Sequence, residues 1–328
     1  MSEEFEDDKS ANSGEEGDVE FEEEEEEEED LENDCELSMK AVQLASEQEG
    51  HLESPINLDI SKMIRISLTP IMWYNHEKLP KKIKLTNTGH TVIYSAKWQD
   101  ERPYISDGPL FGKYVFSQLH FHWGETEMVG SEHHVDGSCM AMEMHAVHFK
   151  ADYMNQEEAS RFNDGVIILV YFFKLQPEDN EMFKNITSSL SLIEKAGDSK
   201  HLNPRYPFVE LLRPFSEDYF VYWSNLTGKT SQRVLWLLCR EPLGISHEQV
   251  LKFQGLLDRQ GVPIMHNCRP LAKALPSNER RRVFHVNPSG VCAYTLMQLI
   301  SRDPPAYTVN QIEEMVRNYD EFVNTKTQ

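Results

Sequence analysis

The run Val166–Phe173 is apolar throughout. A segment this short with both alternate faces apolar suits a central strand covered on each side, so it demands a sheet sandwiched between two layers of packing. Six further runs carry the same Val, Ile, Tyr, Phe and Trp enrichment, separated by turn residues: Lys82–Leu85, His90–Ala96, Tyr114–Trp123, Met140–Phe149, Tyr219–Ser224 and Val234–Arg240. Together they predict a mainly β domain around one large sheet. Helical signals are sparser. Ser246-His247-Glu248-Gln249 has the spacing of a capping box ahead of Val250–Leu257, and Asn185–Ala196 is a second candidate helix.

Charge divides the chain. The net charge is −23, yet residues 1–34 hold twenty Asp or Glu against Lys9 alone, with Glu22–Glu29 unbroken, so the remainder is close to balanced. So few apolar residues cannot offset the conformational entropy of folding, and residues 1–35 are predicted to be a disordered acidic tail. The tail suits solubility or a protein partner and opposes nucleic acid or an anionic membrane as the principal target. Residues 36–288 form the expected domain. Residues 289–328 read as an extension in which Ile312, Met315, Val316, Tyr319 and Phe322 recur at helical spacing, an amphipathic helix. No apolar run approaches the roughly 20 residues of a membrane span. The first residues show no secretory pattern, and five cysteines without framework spacing suggest reduced thiols, so the expected setting is cytoplasmic.

His120-Phe121-His122 lies in one predicted strand and His145 in another. Strand side chains alternate, so His120 and His122 share a face, and an imidazole from a neighbouring strand completes a three-nitrogen collar. Three protein ligands with one open position is the arrangement of a catalytic Zn2+, whereas structural zinc is closed by four. Gln118 and Glu143, each two residues before a histidine, fall on the same faces, where an acceptor for the second ring N–H is needed. Glu132 is a candidate to orient a threonine hydroxyl. His90, in Thr88-Gly89-His90, is a candidate proton shuttle. Val147, Ile168, Leu226 and Trp236 are candidates to line a small apolar substrate pocket. His133, His134 and His148 flank the motifs and read as solvated or packed side chains.

Gln118–Gly124, Gly130-Ser131-Glu132-His133 and Glu143–Phe149 resemble the zinc-site strands of the α-class carbonic anhydrases. Ser54–Leu58, Thr88-Gly89-His90, Asn225-Leu226-Thr227, Ile245–Phe253 and Asn267 with Arg269-Pro270 follow in that family's order, so the resemblance spans about residues 52 to 287. It implies a single domain around a large, mostly antiparallel twisted sheet, with zinc at the bottom of a cleft. It also implies His120, His122 and His145 as ligands, Gln118, Glu143 and the carbonyl of Asn267 as their outer partners, and Glu132 with Thr227 as the pair that orients a zinc-bound hydroxide. His90 matches the proton shuttle, and the implied reaction is attack of that hydroxide on CO2 to give bicarbonate. Two departures stand out. The family's Thr-Thr-Pro-Pro is Thr227-Gly228-Lys229-Thr230 here, and residues 36–51 replace an aromatic opening segment. A glutamate-rich tract also resembles one group of non-catalytic carbonic anhydrase-related proteins, which act as binding modules; those typically lack one or more zinc histidines, and this chain has all three.

Overall fold

Val166–Leu175 lies in the interior of a thirteen-stranded sheet. The computed structural model describes residues 35–203, 206–225, 232–273 and 281–288. From one edge the order is Ser199–Leu202, Lys82–Asn87, Val92–Lys97, Tyr114–Trp123, Met142–Lys150, Val166–Leu175, Arg233–Cys239, Tyr219–Asn225, Phe284–Asn287 and Ile64–Ser67. Short strands at 71–74, 104–107 and 243–245 branch from this path. Neighbours run antiparallel except at Val166–Leu175, which pairs parallel with Arg233–Cys239 and Leu243–Ile245, and at Phe284–Asn287 with Ile64–Ser67. All seven predicted strands form, with ends shifted by at most two residues.

The sheet has a different core on each face. Ile167, Leu169, Tyr171 and Phe173 join the larger cluster, which also takes Leu119, Phe121, Trp123 and the helix residues Phe183 and Phe253. Val166, Ile168, Val170 and Phe172 join the smaller one with Tyr222, Val234 and Trp236. The unbroken apolar run is therefore the signature of two-sided burial, each fully buried large side chain contributing about 1.5–3 kcal/mol.

A bulge in Tyr114–Trp123 decides which core the histidines avoid. Phe116 is opposite His148 and Gln118 is opposite Val147, leaving Ser117 without a partner. The extra residue reverses the alternation. Tyr114 and Phe116 face the larger core, but beyond the bulge Leu119, Phe121 and Trp123 face it instead. Gln118, His120 and His122 consequently lie on the other side, with Val147 and the smaller core.

The helix His247–Gln254 has the predicted capping box: the Ser246 hydroxyl accepts from the Gln249 amide at 3.1 Å, and the Gln249 side chain accepts from the Ser246 amide at 3.3 Å. The second helix is Glu181–Thr187 rather than 185–196. Asn180 starts it by accepting from the Met182 amide, and Ser188 and Ser189 end it by bonding back to the Asn185 carbonyl. Residues 35–49 form a helix that the sequence reading did not assign, and Cys35, placed with the tail on composition, is helical and fully buried. Cys35, Met39, Val42, Ser46 and Glu49 recur at helical spacing on its buried side; two polar members obscured the stripe. The acidic segment 1–34, the amphipathic stretch 289–328, Leu226 and Thr227 lie outside the described residues.

Candidate metal centre

Three imidazoles converge from two strands. His120 and His145 are directly opposite each other in the antiparallel register of Tyr114–Trp123 and Met142–Lys150. His122 follows His120 by two residues on the same face, and its ring centroid is 4.5 Å from that of His145. One ligand atom from each of the three lies within 4.8 Å of the others.

Hydrogen bonds settle which nitrogen each ring offers. Nδ1 of His120 is 3.2 Å from the Gln118 side-chain oxygen, and Nδ1 of His122 is 3.4 Å from the Asn267 carbonyl. Nε2 of His145 is 2.5 Å from Glu143 Oε1. Each of these partners is an acceptor, so those nitrogens carry the protons and Nε2 of His120, Nε2 of His122 and Nδ1 of His145 keep lone pairs. Burial first, and then the neighbouring histidines, hold His120 well below the ordinary imidazole range. His122 is lowered to about 4, again chiefly by burial and then by His145. Neutral imidazoles are what a metal requires.

The fit to a metal rests on His122. Its Nε2 is buried with no hydrogen-bond partner among the described residues. An unsatisfied buried acceptor costs about 1–3 kcal/mol, and a cation at the centre of the three lone pairs would remove that cost. The donor set of three nitrogens fits Zn2+ in a tetrahedral site with one open position.

The carboxylates around the cluster do more than the sequence suggested. Glu143 Oε1 also accepts from Nδ1 of His133 at 2.7 Å, and its Oε2 accepts the His133 backbone N–H at 2.8 Å. With both donors aimed at Glu143, Nε2 of His133 must be an acceptor, and the Tyr222 hydroxyl donates to it at 2.6 Å. Burial, the largest single influence, would raise Glu143; His133 and His145 together outweigh it and hold the carboxyl well below the usual carboxylate range. His133 is thus a packed, fully engaged side chain. Glu132 is equally buried, and Arg269 grips both its oxygens, Nε at 2.9 Å and Nη2 at 2.6 Å, with the Arg269 amide at 3.0 Å. Burial raises Glu132 too, but the hydrogen bonds from Arg269 prevail and set it at about 2. The sequence reading gave His133 as a solvated or packed side chain and Arg269 as part of a motif, without these roles, and gave Tyr222 no role. The available signal was stoichiometric: a buried carboxylate has about four lone-pair sites, more than one histidine or one threonine can fill.

A cleft of about 720 Å³ reaches the cluster, with His90, His122, Glu132, Asn267 and Arg269 on its wall. His90 is exposed there. The turn that presents it is closed by the Asn87 side chain accepting from the Gly89 amide at 2.8 Å, with Gly89 at φ 82°. The Asn267 side chain fastens this wall, donating to the carbonyls of His90 and Phe121 at 2.9 Å each and accepting from the Trp123 amide at 2.8 Å. Val147, Ile168 and Trp236 are buried together in the smaller core, and the Trp236 ring meets His145 edge-on at 5.2 Å.

Residues 40–286 match the eukaryotic-type carbonic anhydrase family. The chain belongs to that family. It is 32% identical to human carbonic anhydrase 7 over 228 residues, covering 68% of this chain and 85% of that protein. Rabbit carbonic anhydrase 1 is 32% identical over 228 residues, 67% of this chain and 94% of its own length. In this carbonic anhydrase-family chain, the match includes part of the helix at 35–49, which the resemblance read from motifs had left out.

Proposed function

We propose that this chain is a zinc-dependent carbonic anhydrase, interconverting CO2 and water with bicarbonate and a proton. The observation that carries the proposal is the buried Nε2 of His122, unpartnered among the described residues, beside the His120 and His145 rings. Zn2+ held by these three would act as a Lewis acid, bringing the pKa of a water to about 7, a value characteristic of carbonic anhydrases as a class. Gln118, Glu143 and Asn267 fix the tautomers and ring orientations of the three ligands. Glu132, kept ionised by Arg269, is a permanent acceptor: among the described residues its Oε2 receives only Arg269 Nη2, and a carboxylate oxygen can take a second donor. Thr227 is proposed as that donor, orienting the attacking oxygen through its own. His90, exposed on the cleft wall, passes the released proton to solvent. Cys139, Cys239 and Cys268 are free thiols, which supports a reducing, cytoplasmic setting.

Stopped-flow CO2 hydration, with zinc quantified in the same sample, tests this reading. One zinc per chain with hydration suppressed by a sulfonamide is the expected result. One zinc per chain with no hydration would make the protein a non-catalytic member of the family, its acidic segment serving as the contact for a basic protein partner.

A further inference from the structure

The turn that ends the amino-terminal helix holds both sides of the connection on which Thr227 lies. Tyr219–Asn225 and Arg233–Cys239 pair antiparallel with Asn225 opposite Arg233, so these two residues bound residues 226–232. The Leu52 carbonyl accepts the Asn225 amide at 2.8 Å, and the His51 carbonyl accepts the Asn225 side-chain NH2 at 2.7 Å. Gly50 packs against the other side. A Cβ there would come within 2.6 Å of Arg233 Cγ and Cδ and 2.4 Å of the Ser46 carbonyl, so the backbone approaches this closely only as glycine. Buried Glu49 adds a third anchor, accepting from Arg282 Nε and from the Arg282 amide at 2.6 Å each, just before the strand Phe284–Asn287.

These contacts continue to the histidines. Next to Asn225, the Ser224 hydroxyl accepts from Trp236 Nε1 at 2.7 Å, and Trp236 is the ring set against His145. The Trp223 indole donates to the Val42 carbonyl at 2.9 Å, fixing the same strand to the body of the helix.

We infer that the turn Glu49–Leu52 is a positioning element of the active site, fixing the strand end two residues before Thr227 and the ring beside His145. The catalytic consequence rests on the hydration reading above; the mechanical one does not. Misplacing a catalytic group by about 1 Å costs on the order of 100-fold in rate, so a clamp outside the cleft can govern turnover without touching substrate.

Asn225→Ala removes the side-chain bond to His51, and the isosteric Glu49→Gln weakens the anchor to Arg282. Both are compared with wild type, as the full-length zinc-loaded protein, by hydrogen exchange over residues 219–239 and by the pH profile of CO2 hydration. The expected result is unchanged zinc content, faster exchange in that segment, and kcat/KM lowered on the order of 10- to 100-fold with a displaced pH midpoint. Exchange equal to wild type overturns the clamp. Faster exchange with kcat/KM and midpoint unchanged overturns its role in positioning. A wild-type protein that binds zinc and hydrates nothing refutes the enzyme reading instead, and the exchange comparison still decides the clamp.

Discussion

His120 and His145 face each other across adjacent antiparallel strands, their ring centroids 5.0 Å apart. The sheet itself sets this spacing, and only His122 must be added two residues along to complete the collar. Replacing His120 removes one of three ligands and opens the site. In His120→Ala, bound zinc and hydration should both fall by at least about 100-fold, beyond what an outer-shell change costs. Metal analysis after dialysis together with stopped-flow assay checks this, and full activity would refute the site.

Tyr222 donates to His133, which donates to Glu143, which receives His145. Tyr222→Phe leaves Nε2 of His133 buried without a donor. The expected cost is about 1–3 kcal/mol of stability and about a tenfold loss of zinc affinity, measured by urea denaturation and competition with a chelator. Unchanged zinc affinity would show that the chain of bonds ends at Glu143.

Arg269, partly exposed on the cleft wall, pairs with the buried carboxylate of Glu132. Arg269→Met would leave the buried Glu132 carboxylate without its counter-ion, and with Arg269 partly exposed the cost falls at or below the lower end of the range for breaking a buried pair, about 3 kcal/mol. Thermal unfolding at neutral pH should reveal the loss. A further Glu132→Gln change should recover part of the stability while hydration stays low, which separates the structural from the catalytic role of Glu132.

His76 and His148 are buried on the larger-core side, and each has a ring Nε2 with no partner among the described residues. Burial lowers His76 to about 4 and His148, which also feels His76, to about 3, from an ordinary 6.5. Protons therefore bind the unfolded chain more readily than the folded one. Their effect is absent above pH 6.5, and stability falls as the pH drops from 6.5 toward 3, by up to about 1.4 kcal/mol per pH unit for each group. His148→Leu should flatten this limb of a stability-against-pH curve; an unaltered limb would assign acid sensitivity elsewhere.

Deleting Ser117 removes the bulge. Either the register of Tyr114–Phe116 shifts by one, or Gln118, His120 and His122 turn toward the larger core while Leu119, Phe121 and Trp123 turn out. Both outcomes oppose burial, so the deletion should abolish cooperative unfolding monitored by circular dichroism. A well-folded, zinc-binding deletion variant would mean that the bulge merely absorbs slack.

The sequence alone determined what depends on near neighbours. Two-residue spacing places His120 with His122 and Glu143 with His145, apolar runs predict the strands, and Ser246 with Gln249 caps a helix, because strand alternation and helix capping act over two to four residues. Tertiary structure decided the rest. The bulge at Ser117 is invisible to an alternation count, since it exists only relative to the partner strand, and it alone turns the histidines away from the larger core. Arg269 meets Glu132 across 137 residues and Tyr222 meets His133 across 89. Nothing local links such pairs; burial forces them together, because an ionised carboxylate or an imidazole taken out of water must find its partners wherever the fold supplies them.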